Sequence, residues 1–391
     1  MTSRKIKRIL VFTGTRAEYG ILYWFLKALQ AEGAVELQLL VSGSHLSNRY
    51  GSTAGYIEED GFTISKAVSI PLDGDPHFST SNSVAQAIMA YGDALDELQP
   101  DTVVLLGDRY EAFAMAQTAF LKNVPLVHIH GGEITEGAND ERMRHAITKL
   151  SDLHFTSTRG HRQRVIQLGE SPESVVCVGA PGLEHTRRSE LPSVAALSDT
   201  FSFDFSQPYV LLVFHPVTNA RDKGLSELAA LLAACNKLMQ FNFVISLANA
   251  DSGADDINTQ LQSFAEHSSS ATLIRSSFGH LNFLSVMKHA CVMVGNSSSG
   301  IIEAPTLKTP SIDVGDRQSG RERADSVRTL GSDLKAIEAQ LLELCTKPLP
   351  ENHFSNPYDG GDSAQAMMRH LLKANFNNMK SFHDLPQAVC A

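Results

Sequence analysis

The fold is decided by residues 102–133, "TVVLLGDRYEAFAMAQTAFLKNVPLVHIHGGE", in which two apolar runs are separated by a helical pattern. The first run ends at Leu106, and the second ends at Ile129. Apolar runs that alternate with amphipathic helices indicate a parallel sheet with helices on both of its faces. Ligands of such sheets bind at the carboxyl ends of the strands. The polar residues that follow each run are therefore the first candidates for a functional site.

The same alternation of strand and helix patterns extends over most of the chain. Residues 7–29 and 35–44 precede this stretch, and residues 153–182 follow it with the last strands of the same half. No period is visible from 183 to 207, and a new series of strands and helices starts at residue 208. The sequence thus predicts an α/β protein of two doubly wound, Rossmann-like domains facing a cleft, at 1–188 and 189–365.

Composition limits the class of protein and of partner. The chain has 391 residues, enough for two domains, with 43% hydrophobic and 19% charged residues, which is typical of a globular protein. A net charge of -10 gives no general attraction for nucleic acid or for anionic membranes, so neither is expected as a partner. The apolar run near the N-terminus is too short for a signal peptide, and no run would span a bilayer, so we expect a cytoplasmic enzyme.

The cysteines are odd in number and lack CxxC spacing, which disfavours a disulfide framework or a zinc site: Cys177, Cys235, Cys291, Cys345 and Cys390.

Seven polar clusters occupy positions where an apolar run ends and a helix begins. In parallel sheets these positions share the carboxyl edge, so the clusters together predict one cleft between two domains. The clusters are residues 14–20, 107–111, 128–145, 214–224, 248–253, 295–303 and 315–323.

Three consecutive serines, residues 297–299, favour an anion site. A nucleophile elbow needs Gly-x-Ser-x-Gly, and a serine stands at the second glycine position after Gly295, which disfavours a serine hydrolase. Hydroxyl groups at a helix start, where backbone N–H groups are free, are typical of phosphate binding, whereas a plain cap needs only one serine. Glu303 is expected in the first turns of the same helix, where it would accept two hydrogen bonds from a ribose diol or else only complement the helix dipole.

Two arginines follow strands of the first half. The stretch "GTRAEYG" (14–20) contains neither a dinucleotide-binding fingerprint nor a P-loop. Arg16 at its helix start would bind a phosphate through two N–H groups, or else lie on the surface. In "GDRYE", Asp108 and Arg109 come directly after a fully apolar strand, which favours a functional role in this fold.

Residues 128–145 carry most of the titratable groups expected in the cleft. Asp108, Glu133 and Asp140 together favour acid–base chemistry, because carboxylates in one cleft push each other's pKa values apart. His215 follows the matching strand of the second half, where it would act across the cleft or else be a buried histidine satisfied by the backbone.

Two histidines, His128 and His130, share one face of a strand and raise the question of a metal. No cysteine or third ligand follows at the spacing of a metal motif. The sequence therefore predicts no metal site there.

The clusters together resemble one family, the UDP-N-acetylglucosamine 2-epimerases, and within it the hydrolysing branch, which makes free N-acetylmannosamine and UDP for sialic acid synthesis. The motifs occur in the family's order over about three-quarters of the chain: "GTRAEYG", "GDR", "HIHGGE…RHAITK", "FHPVT" and "GNSSSGIIEAP…GDRQ". Each motif is weak alone, and the ordered set is specific. The resemblance implies the two-domain fold of GT-B glycosyltransferases, with residues 366–391 crossing back to pack on the first domain.

The resemblance also implies roles for individual residues. Ser297 and Ser298, with Arg16, would hold the diphosphate, and Glu303 would hold the ribose. The other implied substrate-binding residues are Arg109, Arg144, His145, Asn249, Arg317 and Arg321. The implied catalytic groups are Asp108, Glu133, Asp140, His215 and His130. A UDP-sugar substrate and UDP product are implied, with no cofactor, in a homodimer or homotetramer.

One position departs from the family's pattern. Several members carry a glutamate where this chain has His130, so the proton-transfer role there passes to His130 or to Glu133. The non-hydrolysing branch opens with GTRPE and a downstream lysine, and this chain has Ile21 at the lysine position, which favours hydrolysis.

Other activities fit parts of the same pattern. "HIHGGEITEGA" also resembles the enzymes that act on UDP-N,N'-diacetylbacillosamine for legionaminic acid, which is the main alternative. A non-hydrolysing 2-epimerase, a UDP-sugar glycosyltransferase and a UDP-sugar sensor are further alternatives. The density of carboxylates at residues 133–141 disfavours the last two.

Overall fold

The computed structural model describes residues 6–47, 52–72, 79–135, 139–217, 220–248, 253–376 and 380–385. The chain divides into two compact units. The first unit comprises Met1–Glu133, Asn139–Glu184 and Gly360–Ala391, and the second comprises Ile134–Ala138 and His185–Asp359. The main changes of unit follow Glu184 and Asp359, whereas the sequence predicts boundaries after residues 188 and 365.

The first unit is built on one parallel sheet. Its described strands are β1 (Lys7–Thr13), β2 (Val35–Ser42), β3 (Lys66–Val68), β4 (Thr102–Leu106), β5 (Leu126–Ile129), β6 (Leu153–Thr156) and β7 (Val175–Cys177). They lie in the order β3-β2-β1-β4-β5-β6-β7. The helices between them are α1 (Arg16–Ala31), α2 (Ala54–Glu59), α3 (Thr80–Leu98), α4 (Tyr110–Leu121), α5 (Asn139–Leu150) and α6 (Arg159–Gln167). The winding direction reverses between β1 and β4, the position where ligands of such sheets bind.

The second unit repeats this design. Its described strands are β8 (Tyr209–Val213), β9 (Asn242–Ser246), β10 (Thr272–Arg275), β11 (Val292–Gly295), β12 (Ser311–Val314) and β13 (Val327–Leu330), in the order β10-β9-β8-β11-β12-β13. Its helices are α7 (His185–Arg188), α8 (Val194–Phe201), α9 (Leu225–Cys235), α10 (Ala254–His267), α11 (His280–His289), α12 (Ser299–Ile302) and α13 (Leu334–Thr346). The winding reverses between β8 and β11, so the turns after these two strands are neighbours.

Both faces of each sheet are buried, as the near-continuous apolar strands require. In β1, Ile9 and Val11 pack in a core with Leu22 of α1, whereas Leu10 and Phe12 pack in a second core on the opposite face. These cores confirm the predicted doubly wound α/β class. Within the described part of the chain, no helix is both long and apolar enough to cross a membrane.

The last helix, α14 (Ser363–Lys373), belongs to the first unit. It packs against α1, and the Ser363 hydroxyl donates to the Val178 carbonyl oxygen at 2.7 Å. The Ala364 amide donates to the Glu184 carboxylate. Lys7 Nζ of β1 donates to the carbonyl oxygen of Leu372 at 3.0 Å. The predicted return of the C-terminal segment to the first domain is therefore confirmed.

Candidate functional site

The first turn of α1, directly after β1, holds a buried glutamate, Glu18, which was not among the predicted site residues. Thr15 caps α1 by accepting a hydrogen bond from the Glu18 amide at 3.2 Å. The Glu18 carboxyl in turn accepts from the Gly14 amide at 2.7 Å, much as in a helix capping box. Burial, and then the neighbouring Glu111 carboxylate, raise the pKa of Glu18 from 4.5 to about 8. Glu18 is therefore mostly protonated at neutral pH. The signal for this residue was present in the sequence, as Thr-x-x-Glu at a helix start.

Two exposed arginines follow β1 and β4, the two strands between which the winding of the first sheet reverses. Arg109 Nε lies 3.4 Å from Oε2 of Glu111, a carboxylate whose residue is only 1% exposed. The guanidinium carbon of Arg16 lies 5.1 Å from the centre of the Tyr56 ring, within cation–π range. Arg16 and Arg109, two of the arginines assigned to substrate binding, thus follow strands at the carboxyl edge of the first sheet, with their side chains exposed.

Arg144 of α5 joins several of the predicted acidic positions. Its side chain is 4% exposed, and its Nη2 pairs with the Asp108 carboxylate. Its Nη1 donates to the backbone oxygen of Glu133 at 2.8 Å and to Oε2 of Glu141 at 2.9 Å. A buried guanidinium is stable only with such partners. Arg144, predicted as a substrate-binding residue, therefore fixes Asp108 against the loop that carries Glu133.

The neighbouring residues of α5 extend this cluster. His145 Nε2 lies 3.0 Å from Oε1 of Glu141, so this carboxylate bridges His145 and Arg144. Asp140 is exposed in the first turn of the helix. The structure thus places three of the predicted residues, Asp108, Arg144 and His145, in one ion-pair cluster with Glu141, and Asp140 immediately precedes Glu141 in α5.

The two histidines at the end of β5 have different environments. His128 is fully buried, its Nε2 donates to the Gly107 carbonyl oxygen at 2.8 Å, and its Nδ1 lies 3.1 Å from the Thr148 hydroxyl. Burial lowers the pKa of His128 to about 3, so the ring is neutral. Both of its nitrogens contact the protein, which gives it a structural role.

His130, by contrast, stands in the left-handed region with φ +68. Its Nδ1 lies 2.9 Å from Oε1 of Glu133. Its Nε2 is buried and has no hydrogen-bond partner among the described residues. A buried ring nitrogen without a partner is costly unless a ligand or a proton-transfer step uses it. Of the two predicted alternatives, His130 therefore has a ring nitrogen, Nε2, without a protein partner among the described residues. Glu133 contacts the other ring nitrogen, Nδ1.

In the second unit, Asn296 after β11 organises the carboxyl edge, and the sequence did not identify it. Its Oδ1 accepts from the His215 amide at 2.7 Å, and its Nδ2 donates to the His215 carbonyl oxygen at 2.8 Å. Its own carbonyl oxygen accepts from Arg317 at 3.1 Å and from Gln318 at 2.8 Å. One buried amide residue therefore ties the predicted His215 to the predicted Arg317 segment.

The preceding residue, Gly295, has φ +140. A Cβ atom there would lie 1.8 Å from the carbonyl oxygen of Val213. Only glycine therefore permits this close approach of β11 to β8.

The triple serine differs from the prediction in one respect. Ser297 and Ser298 are half-buried, and the Ser299 amide lies 3.4 Å from the Ser297 hydroxyl, but α12 is a single turn. The expectation that Glu303 lies inside this helix is wrong, because the helix ends at Ile302 and Glu303 is its C-cap. Pro305 has no amide hydrogen with which to continue the helical ladder. The dipole of a one-turn helix is small, so an anion there would depend on hydroxyls and local N–H groups.

The loop after β12 carries the remaining predicted arginines and is held by Arg323, which the sequence did not single out. Arg323 donates to the carbonyl oxygens of Gln318 at 2.9 Å and Arg321 at 3.3 Å, and to Oδ2 of Asp313 at 3.2 Å. Burial raises the pKa of Asp313 to about 6, although Arg323 opposes the rise. The predicted Asn249 lies outside the described residues.

Comparison with known proteins gives the site a context. The family model described as UDP-N-acetylglucosamine 2-epimerase matches residues 27–372. The polysialic acid biosynthesis protein P7 of Escherichia coli is 36% identical, over 98% of this chain and 99% of that protein. The UDP-N,N'-diacetylbacillosamine 2-epimerase (hydrolyzing) of Legionella pneumophila is 34% identical, over 94% and 96%. A crystal structure of UDP-GlcNAc 2-epimerase from Neisseria meningitidis bound to UDP-GlcNAc matches with a TM-score of 0.79 at 18% identity, over 94% of this chain and 100% of that one. The last likeness concerns the fold.

Proposed function

The chain belongs to the UDP-N-acetylglucosamine 2-epimerase family, and on that premise we propose that it is a hydrolysing 2-epimerase of UDP-N-acetylglucosamine. It would convert this nucleotide sugar and water into N-acetylmannosamine and UDP for sialic acid synthesis. The cluster of Asp108, Arg144, Glu133 and His130 at the carboxyl edge of the first sheet carries the proposal. The name of the Escherichia coli relative supports the pathway.

The proposed reaction has two steps. A base removes the proton from C2 of the sugar, the electron pair forms the C1=C2 double bond, and UDP leaves C1 with the electrons of the C1–O bond. Water then adds its hydroxyl to C1, and a proton is delivered to the opposite face of C2. Because the C2 proton is not acidic, stabilisation of the departing diphosphate must lower much of the barrier.

We assign removal of the C2 proton to His130. Its Nε2 has no hydrogen-bond partner among the described residues, and its Nδ1 lies 2.9 Å from Oε1 of Glu133, so Glu133 orients the ring. Of the two alternatives that the sequence leaves open, His130 and Glu133, the proposal takes His130. The candidates for protonation of the opposite face are Asp108, Asp140 and His215.

The nucleotide is assigned to polar groups at the carboxyl edges. We propose that Arg16, Arg109, Ser297 and Ser298 bind the diphosphate and that Glu303 binds the ribose. Asn296 supports this assignment, because it fixes the backbone beside the serines to the Arg317 loop. The remaining proposed substrate contacts are Arg144, His145, Asn249, Arg317 and Arg321.

A second substrate is favoured by one observation. The Legionella pneumophila relative, at 34% identity over 94% of this chain, is named for UDP-N,N'-diacetylbacillosamine. The same two steps apply to that sugar, since its differences lie away from C1 and C2. The choice between the two substrates is a choice of pathway and leaves the mechanism unchanged.

The test is proton NMR of the purified protein with UDP-N-acetylglucosamine in D2O. Free N-acetylmannosamine with deuterium at C2, together with UDP, is the expected product. Turnover of UDP-N,N'-diacetylbacillosamine alone would assign the enzyme to legionaminic acid synthesis instead. Release of a UDP-linked manno sugar would show a non-hydrolysing epimerase, and inertness toward both substrates would refute the proposal.

A further inference from the structure

Behind the His130–Glu133 pair lies a chain of buried hydrogen bonds. Oε1 of Glu133 accepts from the hydroxyl of Ser157 at 3.0 Å as well as from His130. The Ser157 oxygen lies 2.9 Å from Nδ1 of His161. Ser157 and His161 are each 1% exposed, and Glu133 is 5% exposed. Nothing in the proposed reaction requires these two residues to touch the substrate.

The direction of each hydrogen bond follows from the donor chemistry. An ionised carboxylate only accepts, so the Ser157 hydroxyl must give its single proton to Glu133. The Ser157 oxygen then accepts, which requires that His161 carries a proton on Nδ1. Ser157 and His130 thus both donate to Oε1 of Glu133, and His161 donates to the Ser157 oxygen.

Ser157 lies in the turn between β6 and α6, and His161 lies in the first turn of α6. Thr158 caps α6 by accepting from the His161 amide at 3.1 Å. The Glu133 loop is pressed against the same helix, because a Cβ atom at Gly132 would lie 2.4 Å from the His161 carbonyl oxygen. Arg164 of α6 also donates to the Gly132 carbonyl oxygen. The N-terminal half of α6 and the turn before it therefore fix the backbone at Gly132 as well as the Glu133 carboxylate.

We propose that Ser157 and His161 are positioning residues that hold the Glu133 carboxylate and so lock the His130 ring with its proton on Nδ1. The locked ring keeps Nε2 as the acceptor for the C2 proton. The inference rests on the proposed function for its catalytic meaning, and the lock itself is a property of the free protein. Buried hydrogen-bond chains of this kind specify one side-chain arrangement when every member is satisfied.

The lock is measured by histidine side-chain ¹⁵N NMR at about pH 8.5, where an ordinary imidazole is neutral. The ring signals distinguish the Nδ1–H tautomer from the Nε2–H tautomer, and His130→Gln assigns the His130 signals by their loss. We expect a predominantly Nδ1–H ring in the wild type. Ser157→Ala removes the Ser157 donor to Glu133 Oε1, so we expect the carboxylate to rotate and the His130 ring to become a mixture of tautomers.

The matched control is Ser151→Ala. Ser151 is also fully buried in the first unit, and its hydroxyl donates to the Ile147 carbonyl oxygen at 2.8 Å, away from Glu133. It should leave the His130 tautomer unchanged. If Ser157→Ala does not fold, Ser157→Cys keeps a weaker donor of similar size and should give the same change at a smaller amplitude.

Kinetics supply the second readout. Ser157→Ala should lower kcat by about tenfold while KM changes by less than about twofold, because the serine acts on the proton-transfer step and not on binding. An unchanged tautomer in a folded Ser157→Ala variant overturns the lock, as does an equal change in Ser151→Ala. If the wild type turns over neither substrate, the proposed function fails, whereas the NMR result still decides the lock.

Discussion

Glu18 gives the sharpest quantitative test of the first unit. It is 7% exposed, it accepts a hydrogen bond from the Gly14 amide, and its pKa is raised to about 8 by burial and by Glu111. Glu18→Gln replaces the carboxyl with a neutral amide of nearly the same shape, whose oxygen still accepts from Gly14. The substitution therefore removes the titration and keeps the packing.

The sign and size of the effect follow from proton linkage. Because the folded pKa lies above the ordinary value of 4.5, the folded chain holds the proton more tightly than the unfolded chain. The stabilisation is complete below pH 4.5 and is lost as pH rises through about 8. The two pKa values differ by about 3.5, so at about 1.36 kcal/mol per unit the full loss is about 5 kcal/mol. Between pH 5 and pH 8 the loss of stabilisation is about 4 kcal/mol.

The assay uses the single tryptophan of the chain. Trp24 lies on α1 and packs against the core that contains Leu22 and Phe25, so its fluorescence follows unfolding of the first unit. Urea unfolding of the wild type and of Glu18→Gln is measured from pH 5 to pH 8. As the pH rises from 5 to 8, the free energy of unfolding of Glu18→Gln should increase by about 4 kcal/mol relative to that of the wild type. All other titrating groups contribute equally to the two proteins and drop out of this difference.

A control separates this effect from a general loss of charge. Glu59→Gln removes an exposed carboxylate from α2 of the same unit and should follow the wild type across the whole pH range. Parallel pH dependences for the wild type and Glu18→Gln would refute the assignment of a raised pKa to Glu18.

Three further substitutions test the candidate site. Asp108→Asn should leave UDP affinity in calorimetry near normal and lower kcat by about two orders of magnitude, and wild-type turnover would remove Asp108 from the mechanism. Asn296→Ala removes both bonds to the His215 backbone, so UDP affinity measured by calorimetry should weaken by roughly tenfold, and an unchanged affinity would argue against this anchor. Gly295→Ala would place a Cβ 1.8 Å from the Val213 carbonyl oxygen and should destabilise the second unit by about 3 kcal/mol or more. Faster hydrogen exchange of β8 in mass spectrometry would report this loss, and wild-type protection would contradict it.

The architecture was predictable because it depends on local pattern. The apolar runs of β4 and β5 and the helix between them determine a parallel sheet, and the polar turns after them must lie at its carboxyl edge. The positions of Asp108, Arg109 and His130 follow from that rule alone. The short α12 did not follow, because Pro305 and the turns around it override an amphipathic pattern.

The contacts that organise the site were not predictable, because they join residues distant in sequence. Arg144 pairs with Asp108 across 36 positions, and Asn296 holds His215 across 81. Nothing in the local sequence indicates either partner. His128 and His130 share a strand pattern, yet a left-handed backbone at the second directs it to a different environment.

The return of α14 to the first unit has a consequence for biosynthesis. The second unit, residues 185–359, is an insertion between two parts of the first, because the chain enters it after Glu184 and leaves it after Asp359. During translation the sheet of the first unit emerges early, but the helix that covers α1 and binds Lys7 emerges only after the whole insertion. The face of α1 that α14 covers stays exposed during that interval. Truncation before Ser363 should therefore leave the first unit, and not the insertion, open to aggregation.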